Sequence, residues 1–473
     1  DRADRHGDVV HADVAGVGGG VVGCAVARVL ALAGASVVLL ERNGDVGAGT
    51  SKANTAILHT GFDAVPGSVE SRLVARGYEL LRRYAPTVGV SIEETGAVLV
   101  AWDDQQAASL DSLHSKALAN GYIHTEVIDA ATTRGLEPHL GPGVVGGMIV
   151  PGEHLIDPWS TPLAFAREAI ADGARVELDF AVDSVSIERD VTTLRDRRGR
   201  RVVARFVVNA AGLEGDTMHR RFGFAGFSIR PRRGELIVFD KLARPLLGHT
   251  ILPVPTAQTK GVLVAPTVFG NVIVGPTADD IEERTATGST RAGLDDLLTK
   301  ARRILPDLLA HEVTAVYAGL RAATEHSDYQ LSAHPDARYV CLGGIRSTGL
   351  TASMALAEEA LAMLRTMGLE TASPDSAPSG PRRAPIRMTP LGEAGHRPYE
   401  DWQGEGQRGA SGDRIVCHCE RVTEREITDA CTAVLPANDV DGLRRRTRAL
   451  AGRCQGFYCF AEICALTGWD PSR

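Results

Sequence analysis

Apolar and polar residues follow one another along this chain in blocks that read as strand, small-residue turn and helix. The first block, ADVAGVGGGVVGCAVARVLALAGASVVLLER, sets the pattern. An apolar strand runs into glycines, a helix is predicted from Val21 to Leu32, and Ala35 to Leu40 is an unbroken apolar run. Such a run suits a parallel strand covered on both faces. The unit returns at Phe206 to Asn209 with the turn Ala210 to Gly212. It returns again at Tyr339 to Leu342 with GGIRSTGLT and a helix from Ala352 to Met367.

Between these units, helices are predicted over Ser68 to Tyr84, Gln105 to Asn120, Ser160 to Gly173 and Thr290 to Leu305. In the first of them Leu73, Tyr78 and Leu81 recur at helical spacing. Strands are predicted at Ala97 to Trp102, Arg175 to Leu178 and Ala181 to Ile187. From Phe227 to Ile281, short apolar runs broken by Pro-Thr predict an antiparallel sheet. Residues 371–412 are rich in Pro, Gly and Ser and read as a linker draped over the surface. The last ~60 residues form a small separate unit.

The glycines of the first turn, Gly18, Gly20 and Gly23, are spaced G-x-G-x-x-G. The first permits the sharp turn, the second lets a pyrophosphate reach the backbone, and the third lets the helix pack close to the strand. The motif alone is weak, because glycines also mark ordinary turns. Its place between strand and helix, with Glu41 ending the next strand, points to a dinucleotide site. An acid there accepts hydrogen bonds from the ribose hydroxyls and disfavours a 2′-phosphate. The following loop, NGDVGAGTSKANTAILHTGFD, brings Thr50, Ser51 and Asn54 toward a cofactor and ends in the apolar Ala56 to Leu58 and His59.

Composition narrows the class. The chain has 473 residues, 44% hydrophobic and 23% charged, which fits a globular protein of two or three domains. No apolar run reaches the ~18–20 residues that span a bilayer. The stretch DRADRHGDVVHAD is too polar for a secretory signal. A net charge of -8 without a basic stripe argues against nucleic acid. Of eight cysteines, Cys24 and Cys341 lie in apolar runs, and the other six fall between 417 and 464. That crowding suggests a metal site. Cys417 and Cys419 form Cys-x-Cys, and Cys454 and Cys459 form Cys-x4-Cys. Four thiolates can hold zinc or an iron–sulfur cluster.

The Gly-rich βαβ with Glu41, the GTSKANTAILHTG loop, VVNAAGLEGD and GGIRSTGLTASMALAE resemble the FAD-dependent D-amino-acid oxidase-like superfamily. PVPTAQTKGVLVAPTVFGNVIVGPTADD and YAGLRAATEHSDYQL are most similar to its anaerobic glycerol-3-phosphate dehydrogenase and L-2-hydroxyglutarate dehydrogenase branch. The tail, with IVCHCERV and GRCQGFYC, resembles the bacterioferritin-associated-ferredoxin-like [2Fe–2S] domain.

The resemblance implies an α/β chain, α+β overall. A Rossmann-like FAD-binding domain would comprise residues 1–84, 145–225 and 320–370, and an inserted antiparallel-sheet substrate domain 85–144 and 226–319. Residues 371–412 would be linker and 413–473 a helical [2Fe–2S] domain. FAD would meet Gly18, Gly20, Gly23, Glu41, Arg42, Thr50, Ser51, Asn54, Ala211, Gly212, Gly344, Ser347, Thr348, Gly349, Leu350 and Thr351. Cys417, Cys419, Cys454 and Cys459 would hold the cluster.

His59 would be the base or polarising group, with a core histidine as the alternative. Arg321 and Arg346 would hold the substrate anion, with structural ion pairs as the alternative. Aerobic members carry arginine where this chain has Ala53 and lysine where it has Arg346. The implied substrate is therefore an anionic secondary alcohol, of which glycerol 3-phosphate is one. Electrons would leave to a partner subunit or quinone, in a cytoplasmic protein that reaches a membrane through that partner. The rival expectations are an oxygen-using oxidase of hydroxy acids or amines with a structural tail, and a non-catalytic flavin-binding accessory subunit.

Overall fold

The structure, a computed structural model, describes residues 9–255, 261–371, 386–401 and 414–470. An eight-stranded sheet organises the first body. Its parallel centre runs in the order Tyr339–Gly343, Arg201–Asn209, Val9–Val17, Val37–Leu40 and Arg175–Glu177. Val14 lies opposite Phe206 on one side and Val37 on the other. The first strand thus has its chain successor on one edge and a much later strand on the other. In such sheets a crevice opens at the carboxyl end of the strand, and the glycine turn sits there.

The helix Val21–Leu32 packs between Ser160–Ala171 and Gly349–Thr366, and Val69–Val88 covers the last of these. Leu30, Leu39, Phe165 and Phe206 are fully buried in the joint core, each worth about 1.5–3 kcal/mol of apolar burial. Two glycines are required here. Gly18 has φ +107°, and a Cβ on Gly23 would lie 1.8 Å from the Gly18 carbonyl oxygen. Helix and strand could not approach this closely with side chains at those positions.

A nine-stranded sheet forms the second body, centred on the long antiparallel pair Ile229–Phe239 and Val313–Thr324. It departs from the expected antiparallel pattern at one pair. Ala97–Ala101 and Thr250–Pro253 run parallel, because the two come from distant segments joined by a long crossover rather than a hairpin. Gly146–Val150 falls in the stretch assigned by sequence to the cofactor body, but it pairs with Ala97–Ala101 and Glu126–Asp129 in this sheet. Gly147 allows it, since a Cβ there would meet the Leu99 carbonyl and Thr133 Oγ1 at 2.8 Å. Val313–Thr324 carries Arg321 from this sheet toward the crevice.

Within the linker stretch, residues 386–401 lie across both bodies. Met388 N donates to Val88 O and Glu393 N to Val268 O. The rest of 371–412, apart from Thr371, lies outside the described residues. The tail pairs Ile415–Cys417 with Val422–Thr423 and packs the helices Glu424–Thr432, Val440–Thr447 and Phe460–Thr467 around Ile427, Leu443 and Ile463. Among the described residues no helix is long and apolar enough to cross a membrane.

Candidate active site

A cleft of about 1020 Å³ opens at the carboxyl end of the first strand. Gly18, Gly20, Glu41, Arg42, Thr50, Ser51, Asn54, Ala211, Gly212, Gly344, Ser347, Thr348, Gly349 and Leu350 line it, together with His59, Arg321 and Arg346. Gly23 lies behind this wall in the helix–strand contact. Thr351 is fully buried, and its Oγ1 accepts from the His59 backbone N–H at 3.0 Å.

The loop residues shape the wall mainly by bonding to it. Ser51 Oγ accepts from Val21 N at 2.9 Å, and Thr50 Oγ1 donates to Leu320 O at 2.9 Å. Asn54 bridges Ser51 O and Ala56 N within the loop. Glu41 is buried; its Oε2 accepts from Gly19 N at 2.6 Å and its Oε1 from Asn43 N at 2.8 Å. Burial pushes its carboxyl above the ordinary value despite these donors. Arg42 pairs with Glu214 at 3.5 Å on the rim.

His59 sits where the short strand Ile57–Leu58 pairs with His154–Ile156. That pairing brings up Glu153, whose Oε2 lies 3.0 Å from His59 Nδ1. Glu153 is 1% exposed, and its other oxygen accepts from Thr60 N and Thr60 Oγ1 at 2.6 and 2.8 Å. A buried, fixed carboxylate therefore orients the imidazole. One faint sign of Glu153 is legible along the chain, an acid inside the apolar run GGMIVPGEHLI.

Arg321 donates to the Thr277 carbonyl at 3.2 Å and has no carboxylate partner among the described residues. Burial, and then Arg232 nearby, lowers its pKa below the ordinary arginine value. An arginine still keeps its proton, so the guanidinium favours an incoming anion. Arg232 is itself held by Asp280 through two bonds, at 2.6 and 3.0 Å. Arg346 differs from Arg321: it donates to Glu70 Oε2 and to Ser327 O, both at 2.6 Å. Glu70 in turn accepts from Thr348 Oγ1 at 2.6 Å. Arg346 thus lines the cleft as part of an ion pair.

In the tail, Cys417 is paired with Cys459 and Cys419 with Cys454 as neighbouring thiols, each perturbing the titration of the other. Backbone groups of Leu450 and Glu420 lie near Cys417, and those of Tyr458 and Gly456 near Cys454. The neighbouring Cys459 thiol lowers the pKa of Cys417. No group of three or more His, Cys, Asp or Glu among the described residues converges as a single-ion site. The thiols meet instead as two neighbouring pairs. Four cysteines in two adjacent pairs fit the ligand set of an iron–sulfur cluster. Cys464 is buried in the helix Phe460–Thr467, and Cys431 is half-buried.

The glycine turn and Glu41 at the cleft fit a dinucleotide. The helices Val21–Leu32 and Gly349–Thr366 both begin at it with no acid in their first turns, so their positive ends face the cleft and favour a phosphate there. A glycine-turn cleft joined to a four-cysteine tail points to a dinucleotide-cofactor enzyme with a metal or cluster centre. The chain belongs to the FAD-dependent oxidoreductase family, which matches residues 13–363, and carries a BFD-like [2Fe-2S] binding domain over residues 415–466.

Its relatives narrow the type. It is 32% identical over 461 residues to the glycerol 3-phosphate dehydrogenase of Caloramator mitchellensis, covering 96% of this chain and 93% of that one. It is 26% identical to a subunit of the anaerobic glycerol-3-phosphate dehydrogenase of Escherichia coli K12, covering 97% and 88%. The dithionite-reduced L-alpha-glycerophosphate oxidase of Mycoplasma pneumoniae, with FAD bound, superposes with a TM-score of 0.74 at 26% identity, covering 80% of this chain and 98% of that one. The protein is an FAD oxidoreductase of the glycerol-3-phosphate dehydrogenase type that acts on CH–OH donors, with FAD and a [2Fe–2S] cluster as its cofactors.

Proposed function

We propose that the chain oxidises a small anionic secondary alcohol, glycerol 3-phosphate or a 2-hydroxy acid, and passes the electrons through its [2Fe–2S] centre to a partner subunit or quinone. One observation carries this reading. A carboxylate-held histidine and a guanidinium with no carboxylate partner among the described residues line the same cleft. FAD, when bound, supplies the hydride acceptor. His59 takes the hydroxyl proton as the carbinol hydrogen leaves with its electron pair, and Glu153 stabilises the imidazolium. Arg321 holds the anionic end by a forked contact, and Glu41 accepts from the ribose hydroxyls of the cofactor.

The tail supports the relay. The Mycoplasma relative, named an oxidase, is matched over 98% of its length by 80% of this chain, which leaves a remainder of about the size of linker and tail. The glycerol 3-phosphate dehydrogenase of Caloramator mitchellensis and the anaerobic subunit of Escherichia coli match 96% and 97% of this chain, while L-2-hydroxyglutarate dehydrogenases match 55–57% of it, so the tail goes with the first two and not with dehydrogenases in general. A relative named as one subunit of an enzyme supports a hetero-oligomer, and membrane association would come through its other members. On the tail, Phe457 and Tyr458 are 83% and 77% exposed between the ligands Cys454 and Cys459. Large aromatics left in solvent beside a cluster suit a partner contact. Replacing both by Ser is expected to slow turnover with the protein acceptor at least tenfold (about 1.4 kcal/mol) while iron content stays the same. Equal rates would place the partner elsewhere.

The test of substrate class is anaerobic bleaching of the flavin band. Glycerol 3-phosphate or a 2-hydroxy acid is expected to bleach it, and uncharged glycerol and glycine are not. Bleaching by glycine alone would replace alcohol oxidation with amine oxidation. Arg321→Ala is expected to raise KM for the anionic substrate by about 10–100-fold, the loss of a charge-assisted bond, with flavin content unchanged. An unaltered KM would make Arg321 a structural residue.

A further inference from the structure

The cofactor loop is held from outside the flavin body. Asp45, in the loop after Glu41, is 5% exposed. Its Oδ2 accepts from Arg445 at 2.5 Å and from Arg446 at 2.7 Å, and its Oδ1 accepts from Arg446 at 2.8 Å. Both arginines belong to the tail helix Val440–Thr447, some 400 residues away in sequence. Arg445 is 7% exposed.

The same region of the tail grips the loop a second time at Lys52. Lys52 Nζ lies 3.4 Å from Asp441, and the Lys52 carbonyl accepts from Trp159 Nε1 at 3.1 Å. The Arg448 guanidinium covers the Trp159 and Phe269 rings at 5.5 and 4.3 Å. Between these two grips the loop closes onto the glycine turn. Gly47 N donates to Gly19 O at 2.8 Å, and Ser51 Oγ caps Val21 N.

A buried carboxylate without its cations is strongly disfavoured. If the tail moves away, Asp45 loses its three guanidinium bonds, and the loop that Gly47 ties to the glycine turn loses its outside support. The loop that lines the cofactor cleft is therefore held in its closed form both by the flavin body and by the docked tail.

We propose that the tail is a positioning element of the FAD site, in which Asp45 with Arg445 and Arg446 couples docking of the [2Fe–2S] domain to FAD affinity. The coupling is reciprocal: FAD tightens the dock as the dock tightens FAD. FAD binding is measured without substrate, so this proposal can fail or hold independently of the substrate reading.

The test uses the full chain and three variants: Asp45→Arg, Arg446→Asp and the double charge swap. The FAD dissociation constant is read from quenching of flavin fluorescence. Each single variant is expected to weaken FAD by about 5–150-fold, the usual span of coupling between sites. The double swap, which restores opposite charges, is expected to recover most of the loss. Hydrogen exchange gives a second readout. FAD is expected to add protection to the amides of Val440–Thr447 in the parent chain and not in Arg446→Asp. If Arg446→Asp does not fold, Arg446→Gln takes its place and is read in the same way. Parent-like FAD affinity in the Arg446 variant overturns the proposal, as does helix exchange that ignores FAD.

Discussion

His59→Ala is expected to slow reduction of the bound flavin by substrate by about 10²–10⁴-fold, the usual worth of a positioned general base. The geometry favours a large value. If Nδ1–H donates to Glu153, 3.0 Å away, the neutral ring carries its lone pair on Nε2. Two donors from Thr60 fix the carboxylate in turn, and Thr351 fixes the His59 backbone. Glu153→Gln keeps a hydrogen-bonding group but removes the charge that favours the imidazolium. It should therefore slow reduction less than loss of the ring does, and shift the pH profile of reduction. Anaerobic stopped flow, following the oxidised flavin band, measures both. Reduction of His59→Ala at the parent rate would take the imidazole out of the mechanism.

The parts of the site that could be read in the sequence are those whose physics is local. The glycine spacing, the apolar runs on either side and Glu41 all fall within one βαβ unit. The turn at Gly344 to Leu350 has the same strand–turn–helix form, and the cysteine spacings need no fold to be noticed. The parts that could not be read depend on distant pairing. Glu153 meets His59 only because two short strands pair antiparallel, with Leu58 opposite His154. Arg346 and Arg321 look alike as sequence, yet Glu70, 276 positions away, engages the first while no acid engages the second among the described residues. The run GVVGGMIV is apolar enough for either sheet, and only the close approach at Gly147 decides which sheet takes it. Asp45 looks like an ordinary loop acid until the tail helix lies against it.

Cys417→Ser and Cys454→Ser are expected to abolish the cluster, with iron falling to background and the electron paramagnetic resonance signal of the reduced protein lost. Each cysteine belongs to a different thiol pair, so each variant removes one ligand from a different part of the set, and a cluster of two irons needs all four thiolates. Flavin reduction should persist in both variants, because no cysteine lines the cleft among the described residues and proton removal at His59 needs no iron. It should be measured with FAD in excess, since loss of the cluster also loosens a tail whose own core is small, and a loosened tail acts on the cofactor loop through Asp45. Turnover with a one-electron acceptor should fall in the same variants, because a hydride delivers two electrons together and the cluster releases them singly. Reduction by substrate and reoxidation by the partner are thus separable by one sulfur-to-oxygen change outside the cleft. Stoichiometric zinc without iron in parent protein made anaerobically would reject the relay and leave a flavin dehydrogenase whose tail serves only to hold the loop at Asp45.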